Sequence, residues 1–378
     1  MMKIAVFVLL TTVASASITT LGLDFGSLLN RADSLLESFP GLADSTKNTL
    51  KKAKQVHQKL NPEDKQDFSQ FFKFIAEHGR DYPDESTIRT RFSHFQNTLQ
   101  QISQLNSQHK HATFGINKFS DLSPEEFLNQ LAGTRPANVT NGIPYSTLKY
   151  SRAKRSTSGC NSPSTFDWRD EGAYTEVKDQ GSCGDCYVFS SIAAVEAVYI
   201  IANNISQELS EQQTLSCNPD SGNYGCDGGV VSWTLDAIIS AGVDYEEDYP
   251  YTNGNSTVAE ACIEGKARYQ RISTYTYTTQ YDEVELVNAV YKLGPAIVVI
   301  DATNLQSYQS GVLEPVEPEA GWTINHGVTI FGYGEDDDVP FWSIKNSWGA
   351  DWGESGYFRL LRGNNSLDVA WQPIIPIV

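Results

Sequence analysis

The sequence is poor in positive charge. Its 378 residues contain 28 Lys and Arg against 46 Asp and Glu, a formal net charge of −18 at pH 7. Nucleic acids and anionic membrane surfaces are bound largely through basic side chains, so this balance argues against both partners. Long hydrophobic runs are also lacking, because outside residues 1–16 no segment approaches the roughly 20 apolar residues of a transmembrane helix. We therefore expect a soluble mature chain.

The composition is otherwise that of a globular protein, with 40% apolar and 20% charged residues and a length that allows two or three domains. The charge is divided unevenly: residues 1–155 hold 19 basic and 14 acidic residues, and residues 156–378 hold 9 and 32. Oppositely charged halves attract each other, so the first half is expected to bind the second. The alternative is that each half simply has its own solvated surface.

Residues 1–16 are typical of a secretory signal, with Lys3 as the positive residue, residues 4–10 as the apolar stretch and Ala14-Ser15-Ala16 as a cleavage site of small residues. The mature chain is then expected in the secretory pathway, in a lysosomal, endosomal or extracellular compartment that permits disulfides. Four Asn-x-Ser/Thr sequons are candidate glycosylation sites: Asn138, Asn204, Asn255 and Asn364.

The first half is predicted to be helical. Leucines at helical spacing between residues 21 and 60 predict two short helices separated by Pro40-Gly41, and further helices are predicted at 68–78 and 85–106. Residues 134–158 have the composition of an exposed linker open to proteolysis, with Lys154-Arg155 near its end. After residue 240, short runs predict strands at 271–278, 296–300, 328–333, 341–344 and 356–361.

All six cysteines lie in the acidic half: Cys160, Cys183, Cys186, Cys217, Cys226 and Cys262. The spacing of Cys183 and Cys186 fits a redox pair, half of a zinc site, or a structural cysteine beside a nucleophile. Zinc is disfavoured because this half has no second such pair and no paired histidines. A thioredoxin-like pair is disfavoured because no hydrophobic strand run precedes it.

Histidine is scarce in the acidic half, which contains only His326. A lone histidine is by default a residue without a role. A cysteine nucleophile, however, needs a base, and the base needs an orienting partner that the fold brings to it. His326 follows Cys186 far along the chain, and Asn346 follows His326, so the sequence offers all three groups.

These residues lie in motifs that resemble the papain-like cysteine peptidases. The motifs, in the order of that family, are Gln180-Gly181-Ser182-Cys183-Gly184-Asp185-Cys186-Tyr187, Cys226-Asp227-Gly228-Gly229, Asn325-His326-Gly327 and Asn346-Ser347-Trp348-Gly349. The first half resembles the inhibitory propeptide of cathepsin L-type members. Its helix signature is present at Arg91, Phe95, Ile102 and Asn106, with Thr87 and Thr98 as replacements, and Gly115-x-Asn117-x-Phe119-x-Asp121 matches a second propeptide motif.

The resemblance implies an α+β fold: a two-lobed peptidase, with a helical lobe and a β-barrel-like lobe, preceded by a helical propeptide. It divides the chain into a signal peptide (1–16), an N-terminal extension of the propeptide (17–67), an inhibitory propeptide domain (68–131), a linker with the activation site (132–158) and a papain-like peptidase domain (159–378). The extension is assigned no function beyond packing.

The resemblance also implies the catalytic roles. Cys186 would be the nucleophile at the start of a helix, whose dipole lowers the pKa of the thiol. His326 would be the base, and Asn346 would hold its imidazole under the cover of Trp348. The side-chain amide of Gln180 and the backbone N–H of Cys186 would form the oxyanion hole.

Substrate backbone is expected on Gly228 and Gly229. The specificity pocket implied by alignment comprises Val230, Val231, Val299, Ile324 and Gln372, which predicts an apolar second residue before the cleaved bond. The implied disulfides are Cys183–Cys226 and Cys217–Cys262, with Cys186 free and Cys160 unmatched. Asp185 stands where the family typically has Ser, and a carboxylate there would oppose thiolate formation.

The sequence thus predicts a secreted or endolysosomal cysteine endopeptidase made as a zymogen. We expect a monomer that hydrolyses proteins and peptides at acidic pH without cofactor or metal, and that its own propeptide inhibits until acid weakens their attraction. One alternative is a catalytically silent homologue that binds peptides or proteins, which Asp185 alone supports. The other is a thioredoxin-like oxidoreductase, which requires Cys183 to pair with Cys186.

Overall fold

The computed structural model describes residues 42–139, 141–148, 162–217, 222–263 and 270–378. The expected signal peptide, the first of the two helices expected before residue 60, the Lys154-Arg155 pair and Cys160 lie outside the described residues. The chain divides into two units, residues 1–97 and residues 98–378.

The described residues form eight α-helices: α1 (Asp44–Gln58), α2 (Lys65–Glu77), α3 (Glu85–Gln108), α4 (Pro124–Leu131), α5 (Cys186–Asn203), α6 (Glu211–Ser216), α7 (Val231–Ala241) and α8 (Glu283–Leu293). They also form ten strands: β1 (Ala112–Phe114), β2 (Ile143–Pro144), β3 (Phe166–Asp167), β4 (Thr274–Tyr277), β5 (Ala296–Ile300), β6 (Tyr308–Leu313), β7 (His326–Asp336), β8 (Val339–Lys345), β9 (Tyr357–Leu361) and β10 (Ile374–Ile377). Each helix and strand predicted within the described residues is present, with bounds shifted by a few residues.

An aromatic core holds the first unit together. The ring of Phe92 in α3 lies 4.7 Å from that of Phe68 and 5.6 Å from that of Phe71, both in α2. Helix α1 buries Leu50 and Val56 and packs against α2. Helix α1 lies within residues 17–67, the expected N-terminal extension, and contributes packing to this unit. The boundary expected at residue 67 falls inside α2.

In the second unit the strands form one sheet in the order β1-β6-β9-β8-β7-β5-β10-β4-β2, with β3 paired to β7. Strands β6 and β9 run parallel, as do β2 and β4, and the other pairs are antiparallel. The two end strands, β1 and β2, lie before residue 159, where the sequence suggests that a separate domain begins. Together with the helices, this sheet gives the expected α+β fold.

Helix α5 is the central helix of the second unit. Within the part of the chain that the structure describes, it is the one helix long and apolar enough to cross a membrane. Our sequence expectation that no such segment exists after residue 16 was therefore wrong. The helix is 72% buried and packs against β7 and α7, which is typical of a core helix in a folded domain.

Candidate active site

Cys186 is the first residue of α5, as the sequence predicts, and its side chain is fully buried. Its Sγ lies 3.2 Å from Oγ1 of Thr134 and accepts a hydrogen bond from the N–H of Gly327 at 3.4 Å. Gly327 follows His326, the first residue of β7. The start of the core helix and the start of the long strand therefore meet at the thiol.

His326 is bonded to Asn346. Its Nε2 lies 2.8 Å from Oδ1 of Asn346, which also accepts the N–H of Ser347 at 2.9 Å. An amide oxygen only accepts, so Nε2 carries the hydrogen and Nδ1 is the basic nitrogen of the neutral ring. Among the described residues, Nδ1 has no hydrogen-bond partner. The indole of Trp348 stacks on the imidazole at 4.7 Å and shields the His326–Asn346 bond.

Burial favours the uncharged form of both Cys186 and His326 at neutral pH. Burial raises the pKa of the Cys186 thiol and outweighs the contacts with Thr134 and Gly327 that lower it. Burial also lowers the pKa of His326 to about 4, although Asn346 acts in the opposite direction. Our expectation that the helix would lower the thiol pKa is thus wrong for this form, because loss of solvent outweighs the helix dipole.

The segment that follows α4, residues 132–137, covers the thiol and the imidazole and is called the covering segment below. The N–H of Gly229 donates to the carbonyl of Gly133 at 2.7 Å, and the N–H of Arg135 donates back to the carbonyl of Gly229 at 2.8 Å. Between them, the N–H of Thr134 donates to the carbonyl of Asn325 at 2.9 Å. The backbone expected to bind substrate is therefore occupied by the chain itself.

The motif at residues 115–121, which the sequence suggests belongs to a propeptide, also contacts the surroundings of the site. The ring of Phe119 lies edge-on to Trp348 at 5.7 Å. The Nζ of Lys118 is 2.7 Å from a carboxylate oxygen of Asp179 and 2.9 Å from one of Asp351. His111 forms a further ion pair with Glu314 across β1 and β6 when its ring is protonated.

Gln180 points its amide at the end of α4. Its Nε2 donates to the carbonyl of Leu131 at 3.2 Å and to that of Cys183 at 2.8 Å, while Oε1 accepts the hydroxyl of Ser347 at 2.6 Å. The donor expected to stabilise an oxyanion thus already binds a carbonyl oxygen, that of the last residue of α4.

A buried ion cluster that sequence reasoning missed anchors the segment leading to Gln180. The Nζ of Lys178 lies 2.9 Å from Glu196 in α5 and 2.8 Å from Glu211 in α6. Burial lowers the pKa of Lys178, but the two carboxylates outweigh it and hold the pKa above its usual value. The partners lie 18 and 33 residues away, so no local pattern could have indicated them.

Asp185 is buried directly before the nucleophile. Its Oδ2 lies 2.9 Å from the hydroxyl of Tyr251, and its Oδ1 has no partner among the described residues. Burial raises the pKa of this carboxyl well above its usual range, although Tyr251 lowers it. Burial therefore favours the neutral form of the carboxyl that the sequence suggests would oppose thiolate formation.

Four of the five expected pocket residues line one cavity: Val230, Val231, Val299 and Gln372. Ile324 does not line that cavity. It is partly buried and packs against the hydrophobic core that contains residues of α5. The cavity wall also contains Ile297, Trp371 and Ile374, which sequence reasoning missed. Arg135 and Ala137 of the covering segment line the same cavity.

Cys183 is bonded to Cys226 and Cys217 to Cys262, the pairings that the resemblance implies. Cys186 is the free cysteine of the described residues. Cys183 and Cys186 are therefore not a redox pair in this structure, which removes the basis for the oxidoreductase interpretation. The asparagines of all four sequons are exposed.

Comparisons with known proteins match both halves of the chain. Residues 162–377 match the family described as papain family cysteine protease, and residues 71–127 match the cathepsin propeptide inhibitor domain. Fruit bromelain from Ananas comosus is 36% identical over 81% of this chain and 85% of its own. A viral cathepsin of Adoxophyes honmai nucleopolyhedrovirus is 35% identical over 82% and 90%. The solved digestive procathepsin L2 proteinase from Tenebrio molitor larval midgut is 30% identical, with a TM-score of 0.73 over 82% of this chain and all of its own.

Proposed function

Because the chain belongs to the papain family of cysteine proteases, we propose that Cys186 is its nucleophile, His326 its general base and Asn346 the residue that orients the imidazole. The chain is a peptide hydrolase carrying an inhibitory propeptide domain, and so a zymogen. The observation that supports these roles is the free thiol at the start of α5, beside a histidine whose Nε2 is held by an amide oxygen.

Catalysis begins when the covering segment leaves and a substrate takes its place. The thiol proton moves from Sγ of Cys186 to Nδ1 of His326, and the thiolate attacks the substrate carbonyl. The oxyanion is held by the amide of Gln180 and the N–H of Cys186. The imidazolium gives its proton to the leaving amine, which leaves an acyl-enzyme. Water attacks this thioester with His326 as base, releasing the acid and restoring the thiol.

Acid opens the zymogen by proton uptake. In the closed form burial lowers the pKa of His326 to about 4, and exposure returns it toward its ordinary value of about 6.5. The open form therefore binds more protons between these values, and falling pH favours it.

The substrate is a peptide with an apolar second residue before the cleaved bond, because valine and isoleucine side chains dominate the cavity beside Gly229. Endopeptidase activity, acidic working pH and a monomeric state complete the proposal. Two disulfides and exposed sequons support a place in the secretory pathway, lysosomal, endosomal or extracellular. The silent-homologue alternative has no support, since its one argument required a charged Asp185.

The test is to acidify the purified precursor and follow hydrolysis of matched peptides that carry leucine or glutamate at the second position. We expect the wild type to lose its propeptide and to cleave the leucine peptide preferentially. Cys186→Ser should do neither. Equal cleavage by wild type and Cys186→Ser would refute the assignment of the nucleophile, and preference for the glutamate peptide would refute that of the pocket.

A further inference from the structure

The hydroxyl of Tyr251 touches two acceptors. It lies 2.9 Å from the main-chain oxygen of Gln180 and 2.9 Å from Oδ2 of Asp185. A hydroxyl has one proton and donates to one acceptor at a time, and a main-chain oxygen never donates. Both contacts are hydrogen bonds together only if Asp185 carries a proton on Oδ2 and donates it to Tyr251, while Tyr251 donates to Gln180.

The surroundings of Asp185 favour this protonation state. The titratable groups that face it are Cys186 and Tyr187 of α5, Glu211 of α6 and Tyr251, and none of them brings a positive charge. Oδ1 of Asp185 also favours the neutral acid. It has no hydrogen-bond partner among the described residues, and a buried charged oxygen without a donor costs far more free energy than a neutral one.

We propose that Asp185, kept as a neutral acid, and Tyr251 form a positioning relay that fixes the backbone of Gln180 and so the direction of its oxyanion-binding amide. The inference rests on the proposed role of Gln180 and deepens it. Ser347 holds the same residue from the other side, since its carbonyl accepts the N–H of Gln180 at 2.9 Å and its hydroxyl bonds Oε1. The relay supplies the remaining contact, at the main-chain oxygen.

Ionisation of Asp185 breaks the relay. The carboxylate then takes the hydroxyl proton of Tyr251, because a charged acceptor makes the stronger hydrogen bond. The main-chain oxygen of Gln180 loses its donor, and a negative charge appears beside Cys186. Ionisation of Asp185 therefore adds a loss of activity on the alkaline side to the loss that follows when the His326 imidazolium is deprotonated.

The kinetic test uses the processed enzyme. Tyr251→Phe keeps the ring, which packs edge-on at 5.0 Å against Phe189, and removes only the hydroxyl. We expect kcat to fall about 3- to 10-fold, the usual worth of one hydrogen bond, with KM little changed. Asp185→Ala should show a similar loss at acidic pH. Asp185→Asn should recover it, because an amide donates to Tyr251 as the acid does, and should lack the alkaline ionisation.

Tyr199→Phe is the matched control, since the hydroxyl of Tyr199 also donates to a main-chain oxygen, that of Arg271, at the surface. It should leave kcat unchanged. The relay is refuted if Asp185→Asn keeps the alkaline limb of the wild type, or if Tyr251→Phe behaves as Tyr199→Phe does. Labelling of the processed wild type with a thiol-directed epoxide peptide separates the two proposals. If Cys186 does not react, the proposed function is refuted. If Cys186 reacts, the function stands and the kinetic results above test the relay alone.

A second test needs no activity. Two precursors are compared, both carrying Cys186→Ala so that they cannot process themselves. One keeps Asp185 and the other carries Asp185→Asn, and the melting temperature of each is measured between pH 4 and pH 8. An aspartate in the unfolded chain ionises near its ordinary pKa of about 3.9, whereas the folded one stays protonated, so the stability of the Asp185 form falls as pH rises. The asparagine form should thus gain in relative melting temperature toward pH 8. A constant or reversed difference would refute the neutral acid.

Discussion

Gly133→Ala should open the inhibited precursor. A Cβ on Gly133 would lie 1.8 Å from the carbonyl oxygen of Gly184 and 2.6 Å from its carbon. These are backbone atoms that no side-chain rotation can move, so the covering segment must lift. The contacts first lost are the two hydrogen bonds to Gly229 and the one from Thr134 to Asn325.

The size of the effect follows from these contacts. A hydrogen bond contributes about 0.5–1.5 kcal/mol net, so loss of three makes opening easier by about 1.5–4.5 kcal/mol. At about 1.4 kcal/mol for each factor of ten, the open fraction of the precursor rises roughly 10- to 1,600-fold.

The assay is the rate at which a thiol-directed epoxide peptide labels Cys186 in the precursor at neutral pH, read by mass spectrometry. Gly115→Ala is the control: it adds the same methyl group to the propeptide, but its Cβ meets only the flexible side chain of Gln309, at 3.1 Å. Equal labelling rates for the two variants would show that the segment at Gly133 does not close the site.

Three further results are expected. Lys178→Met should destabilise the precursor by about 3–5 kcal/mol in denaturant unfolding, because it leaves two buried carboxylates unpaired, and a loss below about 1 kcal/mol would contradict the cluster. Lys118→Met should let the precursor process at higher pH than the wild type, since both of its ion pairs are gone, and an unchanged activation pH would count against their role. Proton NMR of the precursor should show His326 neutral until about pH 4, whereas titration near 6.5 would show that the imidazole is not buried.

Local pattern predicted much of the fold. The apolar run at Ala296–Ile300 is a strand buried at every residue, and the predicted helix start at Cys186 is where α5 begins. Such elements follow from periodicity and from the residues that bound them. The resemblance then indicated the residues proposed as catalytic, because their motifs are short and specific.

The sequence could not show what surrounds the site. The direction of the thiol pKa depends on the burial of Cys186 under Thr134, 52 residues earlier, and the state of Asp185 depends on Tyr251, 66 residues later. Spacing carries no signal for such contacts. Ile324 lies outside the cavity that the other four expected pocket residues line, because alignment gives a position along the chain, whereas packing decides which side chains form a cavity wall.

The central claim is that the covering segment inactivates the enzyme by burying a neutral thiol and a neutral imidazole. The most direct test is the pH dependence of alkylation of Cys186 in the precursor and in the processed enzyme. We predict that the processed enzyme reacts rapidly at pH 5–6, as a thiolate paired with an imidazolium does. The intact precursor should react slowly at this pH, and its rate should rise only toward alkaline pH. Equal profiles for the two forms would contradict the account.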